Sequence, residues 1–319
     1  MVLSEYVIAI PSYNRPENIK KATLNMLSEY KIPTKKIYIF VANSKQKKLY
    51  EKSLDPNMYN KIVIGKVGVK NIRNIMANYF PENQHIFYID DDIYRVSECV
   101  YRKSYLDRYL ERKNIPNTRE NRNEYRKKGH VLRKLPNLHK FITEGFQLCK
   151  AKKMRLFGIY AAYNPYFMKS TNKNGSHIST KLTYVEGGFC GVINSRLAEK
   201  RTVADKEDYE RSINYYLLNG GVIRYNSIGA LTKCYTEPGG MQSTGHRSWE
   251  RVDKSAKYLV AKYTDLCQLK TSKKKSDKKT GKVWTEIMLR DKRNEPKFGE
   301  KIVKKYQNKA PKSFEKFKI

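Results

Sequence analysis

The chain has 319 residues, 39% of them hydrophobic, enough for one large or two modest domains with a real core. No apolar run approaches the roughly 20 residues of a membrane helix, and the first residues lack the basic and long apolar segments of a signal peptide, so neither feature is expected. Lys and Arg number 65 against 31 Asp and Glu, a net charge of +34. Such an excess predicts a polyanionic partner, nucleic acid ahead of an anionic membrane surface, although generally Lys- and Tyr-rich residue usage accounts for part of it.

The five cysteines, at 99, 149, 190, 234 and 267, are scattered and include no CxxC pair. This argues against a disulfide framework and a zinc site, and a reducing, cytoplasmic compartment is expected.

In chain order, residues 6–10 read as a short buried strand stopped by Pro11. Pro11-Ser12-Tyr13-Asn14-Arg15-Pro16 forms the loop after it. Apolar spacing predicts a helix over 17–30, a strand over 37–41 ending at Ala42-Asn43-Ser44, and a helix over 46–54. A strand over 61–64 and a helix over 71–79 follow, the helix with Ile72, Ile75, Met76 and Tyr79 on one face. Next comes Phe87-Tyr88-Ile89-Asp90-Asp91-Asp92-Ile93, an apolar strand that ends in three carboxylates. Strands alternating with helices predict a mostly parallel sheet, which binds ligands outside the carboxyl ends of its strands. The loop at Pro11, the turn at Asn43 and the triplet at Asp90 all fall on that edge.

Residues 101–134 carry 12 Lys and Arg against 4 acids and read as an inserted, largely helical basic segment, either a solvated surface or a nucleic-acid contact. A helix over 138–152 and a strand over 156–160 follow. In Glu186-Gly187-Gly188-Phe189-Cys190-Gly191 the glycines suggest backbone packed close against a neighbour. Asp205-Lys206-Glu207-Asp208 leads into a helix reaching 218, and strands over 222–225 and 228–231 close the core. A Gly-rich loop over 238–247 carries His246 and Arg247. After Cys267 there are 18 Lys and Arg against 6 acids, with a charged linker over 273–279 and Trp284, Ile287 and Met288 as anchors.

Adjacent like charges repel, so Asp90-Asp91-Asp92 asks for a counter-ion. A hard divalent cation, Mg²⁺ or Mn²⁺, that also holds a substrate phosphate meets that need. Strand alternation sends Asp90 and Asp92 to one side and Asp91 to the other. The plainer readings are a solvated acidic turn for the triplet and helix-start electrostatics for Glu207-Asp208.

The order of these motifs resembles the GT-A fold of nucleotide-sugar-dependent glycosyltransferases, a Rossmann-like, mixed, mostly parallel α/β sheet flanked by helices. The resemblance covers about residues 6–247 apart from the basic insertion. Within that class, FYIDDDI and VEGGFCGVIN resemble the DNA-modifying glycosyltransferases related to the base J glucosyltransferase, the TET/JBP-associated group. The resemblance implies residues 1–250 as the catalytic domain, with a basic helical insertion at about 101–150, and 251–319 as a basic extension.

It further implies a UDP-sugar donor, glucose by the family, and a 5-hydroxymethylpyrimidine of double-stranded DNA as acceptor, flipped out of the helix. Asp92 would contact the metal directly, Asp90 the metal or the ribose, and His246 would be a further ligand that tilts the choice toward Mn²⁺. Pro11, Tyr13 and Arg15 would line the base and ribose pocket, Asn43 would hydrogen-bond the uracil edge, and Arg73 would approach the diphosphate. Asp91 is grouped with the donor site without a defined role, and Arg247 with the phosphates. Asp208 matches the catalytic carboxylate, beside Glu207; Glu186, Gly187, Gly188 and Phe189 would form the acceptor floor, with Glu186 as the alternative base. Competing readings are a GT-A enzyme with a protein, lipid or glycan acceptor, a nucleotidyltransferase, and a non-catalytic nucleic-acid-binding protein.

Overall fold

The computed structural model describes residues 5–171, 175–233, 249–270, 285–295 and 298–308. The strands are β1 (Val7–Pro11), β2 (Ile37–Val41), β3 (Lys61–Ile64), β4 (His85–Ile89), β5 (Ile93–Tyr101), β6 (His130–Lys134), β7 (Leu156–Ile159), β8 (Ile178–Ser179), β9 (Phe189–Ile193), β10 (Ile223–Tyr225), β11 (Ile228–Thr232), β12 (Cys267–Lys270) and β13 (Glu286–Leu289). Eight of them form one sheet in the order β3-β2-β1-β4-β9-β7-β10-β8. Only β9 and β8 run against the others. The fold is therefore mixed α/β with a mostly parallel sheet, as expected.

The helices are α1 (Pro16–Ile19), α2 (Asn25–Glu29), α3 (Ser44–Ser53), α4 (Val69–Tyr79), α5 (Lys103–Arg112), α6 (Arg119–Glu124), α7 (Leu138–Ala151), α8 (Glu207–Asn219), α9 (Trp249–Lys262) and α10 (Lys304–Asn308). Alternation along the central strands supplies two cores, one per sheet face. Ile8, Ile10, Phe87 and Ile89 pack with Leu27 of α2, Tyr50 of α3 and Phe146 of α7. Ala9, Phe40, Ile86 and Tyr88 pack with Met76 of α4, Ile213 and Tyr216 of α8, and Leu259 of α9. The chain beyond 250 thus shares the second core, through Leu259, Tyr263 and Leu266 as well as the expected Ile287. Met288 is exposed, and Trp284 and the 273–279 segment lie outside the described residues.

Three local departures from the sequence reading have physical causes. The helix expected over 17–30 is interrupted by a π-turn over Lys20–Leu24, a widening common at functional sites. The helix expected to start at Asn71 begins at Val69, because Gly68 takes φ 96° and turns the chain in early. The basic insertion is only partly helical: its β6 pairs with β5, and β5 with β11, in a three-stranded antiparallel sheet. Cys99, Cys149, Cys190 and Cys267 are buried and form no disulfide. No helix among the described residues is long and apolar enough to cross a membrane.

Candidate active site

The carboxyl ends of β1, β2, β3 and β4 open onto a cavity of about 550 Å³, which Gly188 and the start of α8 close from the other side. Its lining includes Pro11, Tyr13, Arg15, Arg73, Asp90, Asp91, Glu186, Gly188, Glu207 and Asp208. Residues separated by nearly two hundred positions therefore meet where the strand order predicts a ligand.

The triplet forms the turn between β4 and β5. Thr23, carried by the π-turn, fixes it: its hydroxyl donates to the Asp90 carbonyl at 2.6 Å and accepts the Ile93 N–H at 3.0 Å. Asp90 and Asp91 then part company. The Asp91 carboxylate is buried and held by Ser12 and by Arg15, whose Nε lies 2.8 Å away and whose Nη2 lies 2.6 Å away. It braces the β1 loop against the triplet: Asp91 and Arg15 pair with each other, and both also line the cavity, where they were expected. Burial outweighs the guanidinium and leaves Asp91 raised to about 6.

Asp90 faces the cavity, where Nη2 of Arg73 donates to its Oδ1 at 2.5 Å. Across the sheet the Asp90 N–H donates to the Gly188 carbonyl at 2.8 Å. A β-carbon on Gly188 would come within 2.6 Å of the other carboxylate oxygen, so the glycine is a space requirement of Asp90.

Arg73 is the hub of the site. Its buried guanidinium also approaches Glu207, Nε to Oε1 at 3.7 Å, and its Nη1 and Nε have no hydrogen-bond partner. Glu207 is held by Arg201 as well, Nε to Oε2 at 2.9 Å. Arg201 and Arg73 overcome burial and keep Glu207 well below the usual carboxylate range. Beside it Asp208 is pushed far above that range, by burial and then by the Glu207 charge, while the Tyr184 hydroxyl donates to its Oδ2 at 3.0 Å. The two carboxyls titrate as a coupled pair in which the arginines favour the anion at Glu207 and burial favours the proton at Asp208.

Glu186 and Asp92 complete the acidic ring. Burial, then Asp90 and Asp92, raise Glu186 to about 8. Burial, then Asp90 and Asp91, raise Asp92 to about 7. Among the described residues no group of three or more His, Cys, Asp or Glu is spaced to hold a metal ion alone. Two acids pushed up partly by a third nonetheless mark an excess of negative charge that a cation relieves. The oxygen donors suit Mg²⁺ or Mn²⁺ sharing its shell with water and substrate phosphate. Asp90 and Asp92 offer oxygen donors of the type such a cation takes, but Asp90 is paired with Arg73 and Asp92 does not line the cavity, so the residues form no closed cage.

Those raised acids make the folded state bind more protons than the unfolded chain from about pH 4 upward. Their stabilising contribution is complete below the unfolded pKa values and is lost as pH rises through about 6, 7 and 8. In metal-free buffer, melting temperature is expected to fall between pH 5 and pH 8, and Glu186→Gln is expected to shrink that fall by several degrees. Equal slopes in the two proteins, followed by calorimetry, would remove the charge-excess argument.

Some expected positions are not in the cavity wall. Asn43 Oδ1 instead caps α3, accepting the Gln46 N–H at 3.0 Å. Phe189 is a core residue, its ring 4.9 Å from that of Phe87. Gly187 does not line the cavity, but it lies against the carboxylates of Asp208 and Glu207 where a β-carbon would clash. Asp92 is buried just behind the lining. His246 and Arg247 lie outside the described residues.

Other lining residues were missed: Lys66, Tyr184, Lys206 and Arg251. Lys206 takes the left-handed conformation (φ 63°, ψ 19°), which aims the start of α8 at the cavity. Nothing in the sequence marks a lysine for that geometry. The Asn-Ser signal at 43–44, by contrast, was a helix cap in plain view.

No protein-family profile and no curated protein matches the chain. Solved structures with partial likeness include the crystal structure of S. aureus TarS 1-349, at TM-score 0.37 and 11% identity over 71% of this chain and 59% of that one. The crystal structure of S. aureus TarS gives 0.38 and 11% over 71% and 36%. That of TarS 1-349 in complex with UDP gives 0.40 and 12% over 71% and 59%. The chain spans less than two thirds of each of them. Likenesses this distant leave the site to be read from its own residues.

Proposed function

We propose that the chain is a metal-dependent, nucleotide-sugar glycosyltransferase of GT-A type that moves a sugar, glucose by the family resemblance, from a UDP-sugar to the hydroxyl of a 5-hydroxymethylpyrimidine in DNA. The observation that carries the enzyme reading is the meeting of Asp90, Arg73, Glu186, Glu207 and Asp208 around one cavity at the strands' carboxyl ends. The nucleic-acid acceptor is supported by the +34 charge and by the basic insertion.

In the reaction the bond from the anomeric carbon to the β-phosphate oxygen breaks, and UDP leaves with the electron pair. The acceptor oxygen bonds to that carbon, and its proton passes to Asp208 acting as general base. A bound cation would neutralise charge on the departing diphosphate. Asp90 and Asp92 would hold that cation, and the unpaired Nη1 of Arg73 donates to the phosphates or ribose. Glu207, fixed as an anion by Arg201, orients Asp208 and makes it a stronger base. Pro11 and Tyr13 line the nucleoside end. The acceptor base must leave its stack to reach the cavity.

The test is mass spectrometry of nucleosides from DNA containing 5-hydroxymethylpyrimidines, after incubation with Mn²⁺ and a panel of nucleotide sugars. A sugar-shifted nucleoside is expected with a UDP-sugar, and none with Asp92→Ala. Donor hydrolysis without any shifted nucleoside would move the acceptor to protein, lipid or glycan. Absence of both reactions would remove the enzyme.

A further inference from the structure

β5 begins at Ile93, directly after Asp92, and its nine residues end at Tyr101. At about 3.3 Å per residue that end lies up to about 30 Å from Asp92. There α5, the 3-10 turn Arg126–Gly129 and the loop over 163–168 come together. Lys127 Nζ donates to the carbonyls of Tyr166 at 2.9 Å and Met168 at 3.2 Å, and His130 Nδ1 contacts the Pro165 carbonyl at 3.2 Å. The loop is thereby fastened with its rings outward. Tyr166 is 52% exposed, Phe167 57% and Tyr105, on α5, 45%.

Cations interleave with these rings: Arg108 lies 4.5 Å from the Tyr105 centroid, and Lys128 bridges Tyr109 and Tyr166 at 5.1 and 5.6 Å. Asp107 of the same helix is already paired with Lys103 and Arg122. The aliphatic side chains of α5, Leu106 and Leu110, are buried. The outer face offers cations and aromatic rings without the apolar stripe that lipid insertion needs. Phosphates with accessible base faces match it.

The geometry points to a docking platform, remote from the cavity, that takes a nucleic-acid strand with unpaired bases. It rests on the nucleic-acid acceptor proposed above and adds how the strand is held. A strand from cavity to platform spans about nine nucleotides at 3.4 Å each, fewer if extended.

The test is fluorescence-anisotropy titration of the full chain with 4- and 16-nucleotide DNA, single-stranded and duplex, at several salt concentrations. The wild type is expected to prefer the single-stranded 16-mer. Tyr166→Ala with Phe167→Ala should cost about tenfold or more on that strand. Lys128→Ala should lower the salt slope by about one. Hydrolysis of the UDP-sugar donor should be unchanged in each, which also reports folding. Equal binding of single strand and duplex by the wild type, ring variants that bind the single-stranded 16-mer as well as the wild type, or binding only to phosphatidylserine vesicles, would overturn the platform. Platform discrimination without donor hydrolysis would overturn the enzyme reading alone.

Discussion

Asp208→Asn is expected to lower sugar transfer by about a hundred- to ten-thousandfold while UDP affinity changes little, the range for loss of a positioned general base. The amide cannot accept the proton, yet it preserves the contact with Tyr184 and the space left by Gly187. The wild-type rate should also rise with pH, because burial and the Glu207 charge favour the protonated form of Asp208, which must lose its proton to act. Added positive charge at Asp90 favours that loss. The slope should vanish in Asp208→Asn. A kcat that is unchanged in Asp208→Asn, or a pH profile identical in the two proteins, would assign the proton transfer elsewhere, with Glu186 as the next carboxylate.

Arg73→Met is expected to cost about 1–3 kcal/mol of stability, because it removes one of two cations beside the buried Glu207 and the donor to the partly exposed Asp90. Asp90 loses its donor at Oδ1, and Glu207 is left to Arg201 alone. Adding Glu207→Gln to Arg73→Met should recover part of the stability, since the uncompensated charge then disappears; the difference in a double-mutant cycle measures the coupling. Donor hydrolysis should stay lost in both, as no group replaces Nη1. A single variant that melts with the wild type in chemical denaturation would show that the site does not depend on this hub.

How much of this could be read from the chain follows the physics of each signal. The strands ending at Val41 and Ile89 were legible, because central parallel strands are continuous apolar runs, and the edge strand ending at Ile64 was legible from its short apolar run before Gly65. Asp90, Glu186 and Asp208 were legible as carboxylates in an ordered series of motifs. The roles of Arg15 and Asp91 were not, because an ion pair between residues 76 apart leaves no local trace. Phe189 was misplaced for a related reason: a glycine-flanked aromatic reads the same whether the ring faces a ligand or Phe87. β5 and β6 escaped notice because β5 mixes Arg95, Ser97 and Glu98 with apolar residues and its burial does not alternate, while β6 ends in the exposed Arg133 and Lys134. The left-handed Lys206 and the buried Arg73 depend on tertiary contacts that no window of sequence contains.

A cation shared between the triplet and a nucleoside diphosphate is the central claim, and calorimetric titration of UDP with and without Mn²⁺ tests it most directly. The wild type should bind UDP at least tenfold more tightly when Mn²⁺ is present, and Asp90→Asn should bind it equally weakly in both buffers. UDP affinity that ignores Mn²⁺ in the wild type, or keeps its full Mn²⁺ enhancement in Asp90→Asn, would contradict the account.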